Sequence, residues 1–138
     1  MHRFYFDPLF IALLICPLPF WLLIKFDTVD WSGDKFIALL TLGLLYPLVE
    51  EIIFRGYIQN WFHTKFNTVI FKVSIANILT SVLFSSSHLI NHSILWALST
   101  LIPSLVFGYV MDRYKTLAAP ITLHATYNIG YFLSVGLN

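Results

Sequence analysis

Apolar residues in this chain come in long, nearly unbroken runs, not in the strict alternation of a half-buried strand. Five runs cover residues 8–26, 36–54, 73–90, 94–110 and 117–136, and the second continues in a helical pattern to about residue 61. A helix rising about 1.5 Å per residue needs roughly 17–25 such residues to cross about 30 Å of hydrocarbon. Hydrocarbon offers backbone N–H and C=O groups no partner, so spanning segments are helices or closed barrels. Barrel-type alternation is absent. The pattern therefore predicts an all-α, polytopic transmembrane bundle of about five helices. Breaks between the runs are short, without repeat, low-complexity tract or linker, so residues 1–138 read as a single membrane-embedded domain.

Composition agrees. Hydrophobic residues make up 58% of the chain and charged residues 11%, against about 25% charged in soluble domains. Arg3 precedes the first run as it would in a signal peptide. That run is long, however, contains Pro17 and Pro19, and lacks an Ala-x-Ala cleavage pattern, so a retained helix is expected. Cys16 is the only cysteine; no intrachain disulfide can form, and it reads as a small packing residue. A net charge of +1 without a basic stripe excludes a nucleic-acid surface, leaving the lipid bilayer as the implied partner. With the N-terminus inside, Arg3, Arg55, Lys65, Lys72, Arg113 and Lys115 fall on or toward the cytoplasmic side. Lys25 and Lys35 are then left outside, in a loop with Asp27, Asp30 and Asp34. The excess of Lys and Arg on inside loops thus predicts N-in, C-out and five spans.

Charge within such runs needs a partner, a wet cavity or a function, since each costs about 2.5–3.5 kcal/mol at mid-bilayer on insertion scales. Glu50, Glu51 and Arg55 lie together near the end of the second run. Residues four apart share a helix face, so Glu51 and Arg55 are placed to pair. Glu50 points about 100° away, and a carboxylate in a partly dry cavity suits a general base. A structural ion-pair network or an interfacial cluster at a helix end explains the same three residues. In Phe84-Ser85-Ser86-Ser87-His88, His88 shares a face with Phe84 and is either a hydrogen-bonded packing residue or a site residue. His92 follows four residues on, a helical zinc-pair spacing, but it sits in the short turn between the third and fourth runs. In the last run, His124 and Asn128 share a face and can both donate hydrogen bonds. Together they suit an oxyanion hole or interhelical hydrogen bonding. Serine catalysis is disfavoured, because Ser85, Ser86 and Ser87 lack a Gly-x-Ser-x-Gly elbow and their spacing does not aim them at His88. A base, a water-orienting imidazole and paired oxyanion donors on three helices are the parts of a hydrolytic site.

Glu50-Glu51-x-x-x-Arg55 with its Phe54-Arg55-Gly56 continuation, then Phe84-x-x-x-His88, then His124-x-x-x-Asn128, occur in this order on successive membrane helices. This set resembles the CAAX protease and bacteriocin-processing family, the intramembrane proteases of Ras-converting-enzyme type also called the ABI family. The resemblance covers about residues 36–131. It implies that Glu50 activates the hydrolytic water with His88, that His124 and Asn128 stabilise the oxyanion, and that Glu51, Arg55 and Phe84 support the site. No metal or other cofactor is then required. The implied protein is an intramembrane endopeptidase of a prokaryotic cytoplasmic membrane, cutting a membrane-anchored or C-terminally tagged peptide or protein near its anchor. A C-terminal sorting-signal peptidase would be one specialisation; little lies outside the motif-bearing helices to imply prenyl specificity. Two other readings stay open. One is a catalytically silent member that binds a peptide or confers bacteriocin immunity. The other is a zinc protease with Glu50, His88 and His124 as ligands, a legitimate catalytic set. The predicted spans put Glu50 and His124 about 10–15 Å from the cytoplasmic ends of their helices, with His88 nearer the far end of its own. Tilt, a longer third helix, or kinks at Pro47, Pro103 and Pro120 are the expected ways of bringing them level.

Overall fold

A computed structural model describes residues 4–23 and 33–135. Five helical runs account for most of them: α1 Pro8–Leu23, α2 Gly33–His63, α3 Ile75–Ile90, α4 Ile94–Tyr114 and α5 Ala118–Val135. The class is all-α, as the pattern predicts. α2 and α4 are long and apolar enough to cross a bilayer, while α1 and α3 are apolar but shorter. Arg3, Lys25, Asp27, Asp30 and the expected end of the last span at Gly136 lie outside the described residues.

Local chemistry sets the boundaries. Asp7 accepts from the Leu9 N–H at 2.9 Å, and Pro8, which has no N–H to satisfy, opens α1. Pro17 and Pro19 divide α1 into Pro8–Ile15 and Leu18–Leu23. Ser74 accepts from the Asn77 N–H at 3.0 Å to start α3, and Ser93 caps α4 in the same way. α4 stops at Lys115, which turns left-handed at φ 54°. α2 departs from regular geometry twice, in wide π-type turns at Thr41–Leu45 and Ile52–Gln59. Such turns recur at functional sites.

One connection was not anticipated. Between α2 and α3 the chain forms an antiparallel hairpin, β1 Val69–Ile70 with β2 Val73–Ser74, pairing Val69 with Ser74 and Ile70 with Val73. Its two turn residues, Phe71 and Lys72, both have positive φ, 48° and 69°, where Asn or Gly is usual. No glycine or asparagine occupies the turn itself, so the usual sequence signal is missing.

The chain forms two compact units, residues 1–49 with 121–138, and residues 50–120. In the second unit burial is inverted relative to a soluble protein. Glu51, Arg55 and Gln59 are fully buried on one face of α2, while Ile52, Ile53 and Tyr57 are exposed. Lipid accepts the apolar residues at no cost, and the polar ones find partners only inside. On α3, Asn77, Ser81 and Ser85 follow at intervals of four along a face turned to α4. Asn77 donates to the Leu105 carbonyl at 2.9 Å, Ser81 donates to Asn77 Oδ1 at 3.0 Å, and Ser85 donates to the Ala97 carbonyl at 2.6 Å. Gly108 makes room for this contact, because a Cβ there would overlap the Asn77 carboxamide. That carboxamide is held at both ends and cannot yield. Gly108→Ala is therefore expected to cost about 1–3 kcal/mol, seen as a lower unfolding temperature in detergent. An unchanged temperature would show that Asn77 can move.

In the first unit, α5 is tied to α1. The Tyr127 hydroxyl donates to the Leu13 carbonyl at 2.7 Å and lies 3.2 Å from Cys16 Sγ. Gly130 accommodates the Trp21 ring, which a Cβ would overlap.

Candidate active site

α2 supplies the acidic part of the site. Glu51 Oε2 meets Arg55 Nε at 3.2 Å with both side chains fully buried, the pairing that their spacing suggests. The guanidinium then spends its remaining donors within the same unit. Nη1 donates to Gln59 Oε1 at 3.2 Å, and Nη2 donates to the Ser104 carbonyl at 2.9 Å and its Oγ at 2.5 Å. Gln59 continues the chain, donating to the Gly108 carbonyl at 3.0 Å and to Asp112 Oδ1 at 2.8 Å. Asp112 also faces His63 Nε2 at 2.7 Å and accepts from Ser74 Oγ at 2.5 Å. Removing one charge from a buried pair leaves the other uncompensated, and this network spreads the Arg55 charge over fixed dipoles. Glu50, one residue before the pair, is half-buried.

Sequence reading missed Gln59, Ser104 and Asp112. Gln59 did offer a signal, since it continues the Glu51, Arg55 face by another interval of four. Asp112 offered another, being the sole acid between residues 52 and 138.

His88 ends the α-helical part of α3 and begins a 3₁₀ turn over His88–Ile90. Its Nδ1 lies 2.9 Å from the Phe84 carbonyl. A carbonyl can only accept, so Nδ1 carries the proton, and in the neutral ring Nε2 is an acceptor. The ring plane is also fixed: Phe84 lies 4.7 Å away and Trp96 stacks at 5.6 Å. Phe84 links this histidine to the acidic group, with the Arg55 guanidinium 5.8 Å above its ring and Phe54 edge-on at 5.0 Å. Phe84 thus makes a cation–π contact with the buried arginine and packs against the imidazole. His92 is exposed and stacks on Trp96 at 4.1 Å. Ser87 donates to the Phe84 carbonyl at 2.7 Å.

The level of His88 corrects the spacing inferred from sequence. The span edges placed Glu50 and His88 at different depths in the membrane. α2 in fact runs to His63 and α3 starts at Ile75, with the hairpin joining them. Glu50 stands thirteen residues from the end of α2 at His63, and His88 thirteen from the start of α3 at Ile75, each about 20 Å along its helix. The contacts of Phe84 with Phe54 and Arg55 register the two helices at this height.

α5 carries His124 and Asn128 in the other unit. His124 is buried and Asn128 half-buried. Asn128 Nδ2 donates to the Leu42 carbonyl at 3.0 Å, inside the wide turn Thr41–Leu45 of α2. That bond fixes which end of the carboxamide is the amine and leaves its second N–H for another acceptor. Gly43 in the same turn allows close approach, since a Cβ there would come within 2.8 Å of Ile129 Cγ1. Among the described residues no three His, Cys, Asp or Glu side chains form a metal-binding group.

The model of type II CAAX prenyl endopeptidases, Rce1-like, matches residues 32–130. An uncharacterized 24.3 kDa protein of Escherichia coli is 29% identical over 91 residues, covering 66% of this chain and 41% of that protein. The chain thus spans well under two thirds of this relative. No solved structure matches. The family match takes in α2 to α5 almost entire, including every residue assigned to the site, and the chain belongs to the Rce1-like type II CAAX prenyl endopeptidase family of membrane proteases.

Proposed function

We propose that this chain is an intramembrane endopeptidase that hydrolyses a peptide bond near the membrane anchor of an anchored or C-terminally tagged substrate. Water held between the Glu50 carboxylate and His88 Nε2 loses a proton to Glu50 and attacks the scissile carbonyl carbon. The developing oxyanion accepts hydrogen bonds from His124 and from the second N–H of Asn128. As the tetrahedral intermediate collapses, the C–N bond breaks and Glu50 passes its proton to the departing amine. The observation that carries this reading is the tether of His88. Its Nδ1–H is committed to the Phe84 carbonyl, so Nε2 is turned into an acceptor for water, at the same helical height as Glu50. The membrane orientation proposed is N-in, which puts Lys65, Lys72, Arg113 and Lys115 on the cytoplasmic side.

The testing experiment is cleavage of a bilayer-anchored reporter by protein reconstituted in vesicles, with mass spectrometry locating the new ends. Cleavage near the anchor is expected; binding without cleavage would support a silent, peptide-binding member. Asn128→Asp keeps the shape but removes both N–H donors. It is expected to lower kcat by about 10²–10³-fold, with KM changed far less, because the lost bond strengthens only in the transition state. A rise in KM at unchanged kcat would instead make Asn128 a substrate-binding group.

A further inference from the structure

The hairpin between α2 and α3 has no role in the proposed chemistry, yet it is built in an unusual way. Phe71 at its tip is 97% exposed and holds a positive φ of 48°, followed by Lys72 at 69°. Left-handed backbone is unfavourable for side chains larger than glycine or asparagine. Packing usually compensates such strain, but a side chain so fully exposed packs against almost nothing within its own chain. The flanking residues are also outward and apolar: Val69 and Ile70 on β1, and Trp61 and Phe66 just before it, are all exposed.

Position and charge identify what meets this surface. The hairpin joins two apolar helices that run side by side, so it lies where membrane gives way to water. Lys65 and Lys72 are exposed beside the apolar tip, and the Lys65 ammonium sits 6.0 Å from the Trp61 ring. Arg113 and Lys115 are at the same end, because their neighbour Asp112 is bonded to His63, the last residue of α2, and to Ser74 of β2. Asp112 is the only acid from residue 52 onward, and its carboxylate is turned inward to Gln59, His63 and Ser74. This end therefore carries four exposed basic residues and an exposed aromatic tip. Basic residues next to a span are attracted to anionic headgroups, and aromatic side chains settle in the interface.

We propose that the hairpin is an interfacial anchor, with Phe71 dipping beneath the headgroups of an anionic leaflet and Lys65, Lys72, Arg113 and Lys115 engaging lipid phosphates. The left-handed turn presents Phe71 to lipid outside the protein, which supplies the packing that the fold does not. The anchor would hold α2 and α3 at constant depth, and with them any group carried on both helices.

The test uses the full chain with Cys16→Ser and Phe71→Cys, carrying a nitroxide at position 71, in vesicles of phosphatidylcholine alone or mixed with phosphatidylglycerol. In anionic vesicles the label is expected to collide with oxygen in preference to a water-soluble nickel chelate, reporting a depth of about 5–10 Å into the interface. Lys65→Gln with Lys72→Gln should shift it toward water, as should neutral lipid. A label as accessible to nickel in anionic vesicles as a free nitroxide overturns the proposal. So does a depth indifferent to both lipid charge and the lysine changes. A label that leaves water only when an acidic peptide is added overturns it in favour of peptide docking. Phe71→Trp at this exposed position provides a label-free check: its added emission should be quenched by lipids brominated high on the acyl chain, and unquenched emission counts against the anchor.

Discussion

Glu50→Gln is expected to lower kcat/KM on an anchored reporter by about 10²–10⁴-fold, the usual worth of a positioned general base. The change keeps the size and most of the hydrogen bonding of the side chain, so fold and unfolding temperature should stay near wild type. The effect depends on Glu50 being the group that takes a proton from water, not on its charge helping the structure. Its neighbour serves as the control, since Glu51 is the acid committed to a structural partner. Side-by-side progress curves of the two proteins, normalised to folded protein, read the difference. Equal cleavage by both would defeat the assignment and return Glu50 to an interfacial or ion-pairing role.

The opposite signature is expected at Glu51. Glu51→Gln removes the carboxylate that accepts from Arg55 Nε while Arg55 stays fully buried. Breaking a buried pair from one side typically costs about 3–5 kcal/mol. Ser104 and Gln59 supply dipoles to the same guanidinium and should hold the loss toward the lower part of that range. Activity should fall in parallel with the folded fraction, because Glu50 lies on the same helix, one residue before the Glu51–Arg55 pair. Unfolding in detergent by increasing denaturant measures this. A midpoint shared with wild type, together with lost cleavage, would move Glu51 from support to catalysis.

What could be read from sequence was local or compositional. The five helices follow from the length of the apolar runs, and the Glu51–Arg55 pair follows from a spacing of four. The shared face of Phe84 and His88 follows from the same spacing, although the bond from the imidazole to the carbonyl one turn back was not expected. What could not be read depended on distant partners or on backbone irregularity. Asp112 finds Gln59, His63 and Ser74 from 53, 49 and 38 residues away, and no periodicity along one helix reports such a meeting. Nothing in Thr41–Leu45 or Ile52–Gln59 announces a wide turn, although the first of these offers the carbonyl that orients Asn128. The hairpin lacked a glycine or asparagine at its turn, so its strand pairing was silent. The match in height between Glu50 and His88 was silent as well, because it rests on contacts of Phe84 with Phe54 and Arg55 across two helices.

In the proposed mechanism Glu50 activates water without a metal. The direct measurement is reporter cleavage in ¹⁸O-labelled water by purified, chelator-treated protein whose metal content has been determined on the same preparation. The expected result is cleavage near the anchor at an undiminished rate, one labelled oxygen in the new carboxylate, and no stoichiometric metal. Bound zinc at one per chain, with activity lost to chelator and restored by zinc, would contradict it and make Glu50, His88 and His124 metal ligands.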